Sequence, residues 1–178
     1  MNSKPSRRIK AQVAMALLVS LATALHVVEG LMPPLPLPGA RLGLANVATL
    51  VALRTLGFGG GVGVSILRSM LGGLLSGSLL GPGFWMGFFG AVSSALVMSA
   101  AVAVKPRGSN ALASVLGAVA HSTAQIITAV KLMHYPGLWG YWPFLTLASG
   151  VTGWFVGLVS DRSLALTKGW LTSREGVV

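Results

Sequence analysis

The chain has no cysteine and only three acidic residues. The absence of cysteine from its 178 residues excludes disulfides, thiolate metal ligands and cysteine nucleophiles. Glu29, Asp161 and Glu175 are too dispersed to form a carboxylate pair or an aspartate-rich magnesium site. The histidines show no paired metal-ligand spacing, and no G-x-x-x-x-G-K-[ST] phosphate loop occurs. We therefore expect no enzymatic activity and no cofactor, and any ATP-driven work requires a partner.

The chain is rich in apolar residues and poor in charged ones. Hydrophobic residues make up 53% of the chain and charged residues 9%, with a mean hydropathy of +0.77. About a quarter of a soluble domain is charged, so the composition predicts an integral membrane protein, with residues 1–178 forming a single membrane domain. The net charge of +10 does not indicate a nucleic-acid partner, because the basic residues lie at the ends of apolar runs.

Prolines and glycines divide the apolar sequence into runs, because proline cannot continue a helix and glycine weakens one. The predicted fold is an all-α bundle of six transmembrane helices, at residues 9–28, 42–56, 59–80, 83–104, 111–133 and 142–160. The second run is short, since only residues 42–53, a run of 12, separate Arg41 from Arg54. About 20 residues are needed to cross a bilayer. A short helix that begins below the membrane surface can border a cavity.

The basic residues are distributed unevenly over the predicted loops. If both termini are cytoplasmic, ten of the thirteen lie on the inner side: Lys4, Arg7, Arg8, Lys10, Arg54, Lys105, Arg107, Arg162, Lys168 and Arg174. Arg41 and Lys131 then lie outside, and Arg68 lies within a span. Because cytoplasmic loops carry an excess of lysine and arginine, this bias predicts a multi-pass protein with both termini cytoplasmic.

Arg68 is the first candidate for function, because it lies inside the apolar run Gly59–Leu80. A cation at that depth costs at least a few kcal/mol and persists where it faces a protein interior, a partner charge or a ligand. The structural alternative is an arginine that ties two helices together or extends its head group to the interface.

Polar residues on the fifth predicted helix share one face. His121, Gln125 and Thr128 follow i, i+4, i+7 spacing, and Gly117 lies on the same face. They either form hydrogen bonds between helices or contact a ligand.

Three further polar residues lie near the outer ends of the first two helices. His26 and Glu29 are one turn apart, and Glu29 is either interfacial or balances Arg41 or Arg68. Asn46 lies near the start of the short second helix, where it makes a buried hydrogen bond, caps the helix or contacts a ligand.

Small residues repeat along the first helix. Ala16, Ser20 and Ala24 recur every four positions, which allows another helix to approach closely. That helix belongs either to this chain or to a partner.

Three motifs in order resemble the bacterial Gx transporter family, which is also labelled heptaprenyl diphosphate synthase component I. They are the run Pro38–Asn46; Leu67-Arg68 with Leu71-Gly72 and Ser76-Gly77; and Gly117–His121 with Gln125. The likeness extends from about Val13 to Leu158, nearly the whole chain.

This resemblance implies a bacterial inner-membrane protein similar to the substrate-binding S components of energy-coupling factor (ECF) transporters. Such components work with a membrane coupling subunit, to which small-residue stripes such as Ala16, Ser20 and Ala24 dock, and with two cytoplasmic ATPases.

The implied substrate is a small, vitamin-like or precursor compound. An anionic one is favoured by the positive field of Arg41 and Arg68, to which Lys131 can add and which only Glu29 offsets. The residues expected to line its outward-facing pocket, with the Leu31–Ala40 loop as lid, are Arg41, Asn46, Arg68, His121, Gln125, Glu29 and His26.

The synthase label implies another function. The chain would then be a non-catalytic membrane accessory subunit of a polyprenyl diphosphate synthase, because it lacks the clustered aspartates that hold magnesium against diphosphate.

The predicted orientation can be tested with single cysteines at Ser6 and Gly39, since the chain has no cysteine of its own. In intact cells, an impermeant thiol reagent should label Gly39→Cys and leave Ser6→Cys unlabelled, because the basic-residue bias places position 6 inside. Labelling of Ser6→Cys alone would reverse the orientation.

Overall fold

A computed structural model describes the backbone of residues 4–31, 43–105 and 108–175, with side chains for residues 9–31, 43–105 and 108–166. All secondary structure within these ranges is helical. The elements are α1 (Lys4–Leu31), α2 (Ala45–Leu75), α3 (Pro82–Val104), α4 (Asn110–Met133), a 3₁₀ helix (Pro136–Tyr141) and α5 (Trp142–Glu175). Within the described residues, five helices are long and apolar enough to cross a membrane. The predicted all-α membrane class is therefore confirmed.

The predicted count of six helices is not matched exactly, because the second and third predicted spans both lie on α2. Only Gly57 interrupts this helix, with φ 77° and ψ −168°. Arg68 nevertheless donates a hydrogen bond of 2.7 Å to Asn46, 22 residues earlier. On a straight helix these residues would be about 33 Å apart. The chain therefore folds back at Gly57 into two segments, α2a (residues 45–56) and α2b (residues 58–75).

The short segment α2a forms the core of the bundle. Every residue from Ala45 to Leu53 is buried, as expected of a helix that is apolar on all sides. Its side chains form hydrophobic clusters with Val64 of α2b, Met98 of α3 and Val156 of α5. Residues of α1, α3, α4 and α5 pack around α2a in these clusters.

Glycines let α4 approach its two neighbours. A Cβ atom on Gly117 would lie 2.4 Å from Met98 Cγ of α3, and one on Gly157 of α5 would lie 2.3 Å from Ala111 Cα. Close backbone approach of this kind stabilises helix pairs where the bilayer provides no hydrophobic driving force between them.

A polar network joins α2a, α4 and α5 at the end of the bundle that carries Gly57. Arg54 Nε donates to Asn110 Oδ1 at 2.7 Å, and Arg54 Nη2 donates to the Gly108 carbonyl at 3.0 Å. Asn110 Nδ2 in turn donates to Asp161 Oδ1. These bonds fix the end of the buried helix and satisfy the arginine that bounds it.

The fold-back can be tested at Gly57. Its φ and ψ lie in a region that is essentially restricted to glycine, so Gly57→Ala should lower the free energy of unfolding by about 1–3 kcal/mol. Gly59→Ala is the matched control: a Cβ meets nothing within 4 Å at either position, but Gly59 is helical. The free energy of unfolding of this control should rise by up to about 1 kcal/mol. Sodium dodecyl sulfate titration of the purified variants measures both free energies of unfolding. Equal changes in the two variants would contradict a turn at Gly57 that only glycine can adopt.

Candidate functional site

Arg68 faces the interior of the bundle. It is 3% exposed, and its Nη2 donates to Asn46 Oδ1. A hydrogen bond from an ionised donor is short and strong, so this contact ties α2b to α2a. This contact agrees with the interpretation of Arg68 as an arginine that ties two helices together. Contact between Arg68 and a ligand stays a prediction.

Asn46 also lines a small polar cavity, together with His121 and Gln125 of α4. The cavity has a volume of about 30 Å³, enough for one or two water molecules but not for a vitamin-sized ligand. Three of the predicted site residues therefore meet. The other hydrogen-bonding side chains of its lining are Ser114, Ser122, Ser149 and Thr152.

Sequence reasoning did not select these four hydroxyl residues. Serine and threonine can satisfy themselves on their own helix in any membrane segment, so their positions give little signal. Across the cavity wall the hydroxyls of Ser122 and Ser149 form a hydrogen bond between α4 and α5. Only the packing of these two helices identifies the pair.

His121 is accommodated by a glycine of α3. A Cβ atom on Gly90 would lie 2.9 Å from His121 Nε2, so a larger residue there would displace the imidazole. Thr128, which completes the predicted polar face, does not line the cavity; its hydroxyl donates to the Ala124 carbonyl of its own helix at 2.7 Å.

Glu29 connects the end of α1 to the start of α2. Its Oε1 accepts a hydrogen bond from the backbone N–H of Gly43, which has a φ of 73°. Arg41 and residues 32–40 of the predicted lid lie outside the described residues. The Glu29 contact thus connects the described residues before this segment with those after it.

His26 lines a different and larger cavity. A space of about 440 Å³ lies between α1, α2b and α3, and its lining includes Ser69, Phe84 and Phe88. His26 packs against Gly72, where a Cβ would lie 2.4 Å from His26 Cδ2. Ligand cavities usually have about 300–1,000 Å³. The prediction placed His26 with Asn46 and His121 in one pocket, but the structure divides them between two.

Neither cavity is lined by a described aspartate, glutamate, lysine or arginine. Lys131, which was expected to add to a positive field, is exposed near the end of α4. Within the described residues, no three histidine, cysteine, aspartate or glutamate side chains come together as a possible metal site. These linings can form hydrogen bonds and apolar contacts.

The small-residue stripe on α1 is exposed along its whole length. Ala16, Ser20 and Ala24 are all exposed, and Ala16 borders an open groove between α1 and α2. Docking of a partner helix at this stripe stays a prediction.

Membrane-length helices around a largely apolar interior, in which one small polar cavity lies, define a multi-pass membrane protein. The sequence profile of the family described as heptaprenyl diphosphate synthase component I matches residues 18–163, and the chain belongs to that family. The family predicted from the sequence motifs is thus confirmed. Comparisons with curated proteins and with solved structures give no match.

The Arg68–Asn46 contact predicts a non-additive effect on stability. Arg68→Leu should lower the free energy of unfolding by about 1–3 kcal/mol, because the buried Asn46 oxygen loses its donor. The double variant Arg68→Leu/Asn46→Leu should recover part of this loss, since neither polar group then remains. Dodecyl sulfate titration of both single variants and the double variant measures the coupling. Additive losses would show that the bond does not join the two segments.

Proposed function

We propose that the chain is the substrate-binding membrane component of an ECF-type uptake transporter in the bacterial cell membrane. The observation that carries this proposal is the convergence of Asn46, His121 and Gln125, from two helices distant in sequence, on one interior cavity beside the buried Arg68. Polar groups concentrated inside an otherwise apolar membrane bundle are typical of solute sites.

The proposed topology has six crossing segments. With a cytoplasmic N-terminus, α1 runs outward, α2a runs inward and α2b runs outward again, so both termini lie on the cytoplasmic side. His26 and Glu29, near the end of α1, then lie in the outer half of the bundle. The fold-back at Gly57 supports this arrangement, because it turns one continuous helix into two antiparallel segments.

The proposed substrate is small and carries an electronegative or anionic group. A ligand carboxylate or phosphate can take the place of the Asn46 oxygen at the Arg68 guanidinium, which binds such groups in a bidentate manner. His121 and Gln125 supply directional hydrogen bonds. His26, Glu29 and Arg41 complete the proposed set, with Glu29 bracing the start of α2a through Gly43.

The exposed stripe Ala16, Ser20 and Ala24 is the proposed docking surface for a membrane coupling subunit, which would bring two cytoplasmic ATPases. Its exposure supports this role, because these small side chains are available to a helix from another protein.

The family description supports a second candidate, a membrane accessory subunit of a polyprenyl diphosphate synthase. Such a subunit would be non-catalytic. Asp161 lies in the network with Asn110 and Arg54, and the described part of the chain gathers no set of acids that could hold magnesium.

The two functions can be separated by affinity purification from the native membrane. A coupling subunit and ATPases should copurify with the parent chain, and Ser20→Leu should reduce their recovery by about tenfold by obstructing helix approach. Ala100→Leu, which enlarges an exposed small residue on α3, is the matched control and should leave recovery unchanged. Recovery of a soluble prenyltransferase instead would favour the accessory subunit.

A further inference from the structure

The 440 Å³ cavity between α1, α2b and α3 has a lining that points to a substrate class. We propose that it binds the uncharged aromatic ring system of the substrate, and that this ring system carries a hydrogen-bond donor. This inference rests on the proposed substrate-binding function and specifies the body of the substrate, whereas Arg68 and Asn46 would meet its electronegative group.

Aromatic side chains form one wall of this cavity. Phe84 and Phe88 are stacked, with ring centroids 5.7 Å apart and planes inclined by 25°. Trp85 holds Phe84 from outside the lining in an edge-on contact, with centroids 5.3 Å apart at 72°. Because ring pairs in offset or edge-on geometry are mutually stabilising, this wall is rigid and presents ring surface to a planar guest.

Two of the three serines that line the cavity have used their hydroxyl hydrogens on their own helix, and the third, Ser78, is hydrogen-bonded to Ser76. Ser69 Oγ donates to the Ser65 carbonyl and Ser76 Oγ donates to the Gly72 carbonyl, both at 2.8 Å. A hydroxyl that donates to its own helix still has lone pairs that accept. The serines therefore favour a ligand that provides a donor, such as a hydroxyl or amide N–H.

The same lining disfavours a charged ring. No described lysine or arginine lines the cavity, and its imidazole, His26, packs against Gly72. A carboxylate on the ring would therefore lose its hydration without a partner of permanent positive charge. The anionic part of a substrate would have to lie elsewhere, nearer to Arg68.

The cavity can be filled at Gly83 without disturbing the fold. Gly83 lines it from the first turn of α3, and a Cβ placed there meets nothing within 4 Å. A leucine at this position should extend into the space that the ligand would occupy. Gly150 of α5 is equally open, since a Cβ there also meets nothing within 4 Å, and it lies outside the cavity.

The test is photolabelling of the purified full-length chain in nanodiscs with hydroxymethyl-benzophenone, an uncharged two-ring ketone with one hydroxyl donor. Peptide mass spectrometry locates the label, and labelling of the exposed face of α5 serves as the reference for partition into lipid. Saturable labelling of the cavity segments of α2b and α3 is expected. Gly83→Leu should reduce it by about tenfold and Gly150→Leu should not, because only the former occupies the site.

Two further comparisons test the ligand class. Phe88→Leu keeps an apolar side chain but removes the ring and should weaken saturable labelling severalfold, and benzophenone carboxylate should label less than the neutral probe. Unsaturable labelling in proportion to exposed surface, indifference to Gly83→Leu, or equal labelling by the carboxylate overturns the proposal. Competition by decanol as effective as competition by diphenylmethanol would instead assign the cavity to a lipid chain.

These outcomes are independent of the transporter role. The photolabelling needs no partner protein, so it can fail while the copurification of coupling subunits succeeds. Loss of those partners with retained labelling would reject the transporter assembly and leave the aromatic site intact.

Discussion

The hydrogen bond from Arg68 to Asn46 is the contact on which the architecture depends. It can form only if the chain reverses at Gly57, and the reversal places α2a in the middle of the bundle, where nine consecutive residues from Ala45 to Leu53 are buried. The remaining helices pack around this segment. A cation buried inside a membrane bundle is costly unless its donors are satisfied, so the same contact that closes the hairpin also makes the buried arginine tolerable.

Two arginines, one near each end of the hairpin, donate hydrogen bonds to neutral amide or carbonyl oxygens. Arg68 donates to Asn46, and Arg54 donates to Asn110 and to the Gly108 carbonyl. A chain with three acidic residues has few carboxylates to offer, and amide or carbonyl oxygens satisfy the geometry of the guanidinium. On the proposed function, the Arg68 guanidinium favours an anionic ligand group, because hydrogen bonds between ionised groups are the strong ones.

Sequence reasoning predicted the helical membrane class and selected three of the residues that share one cavity. Composition and helical periodicity carry that information, since His121 and Gln125 lie one turn apart on α4. The sequence predicted a break between the two segments but not a reversal at one residue. Glycine permits many backbone conformations, and of several glycines nearby only Gly57 adopts the φ and ψ that reverse the chain. The separation of His26 from Asn46 was missed because it depends on which faces of α1, α2b and α3 meet, and tertiary packing decides this.

The segment α2b lines the larger cavity and contacts the polar one through Asn46. Consecutive residues on a helix point about 100° apart, so Arg68 reaches Asn46 at the polar cavity while Ser69 lines the larger one beside Phe84 and Phe88. This segment is joined to α2a through a single non-helical residue, Gly57, and is tied to it again by the Arg68 contact. A rotation of α2b would therefore change the lining of the larger cavity and the contact to Asn46 together. Hence a ligand that competes with Asn46 for Arg68 acts on the same element that shapes the larger cavity.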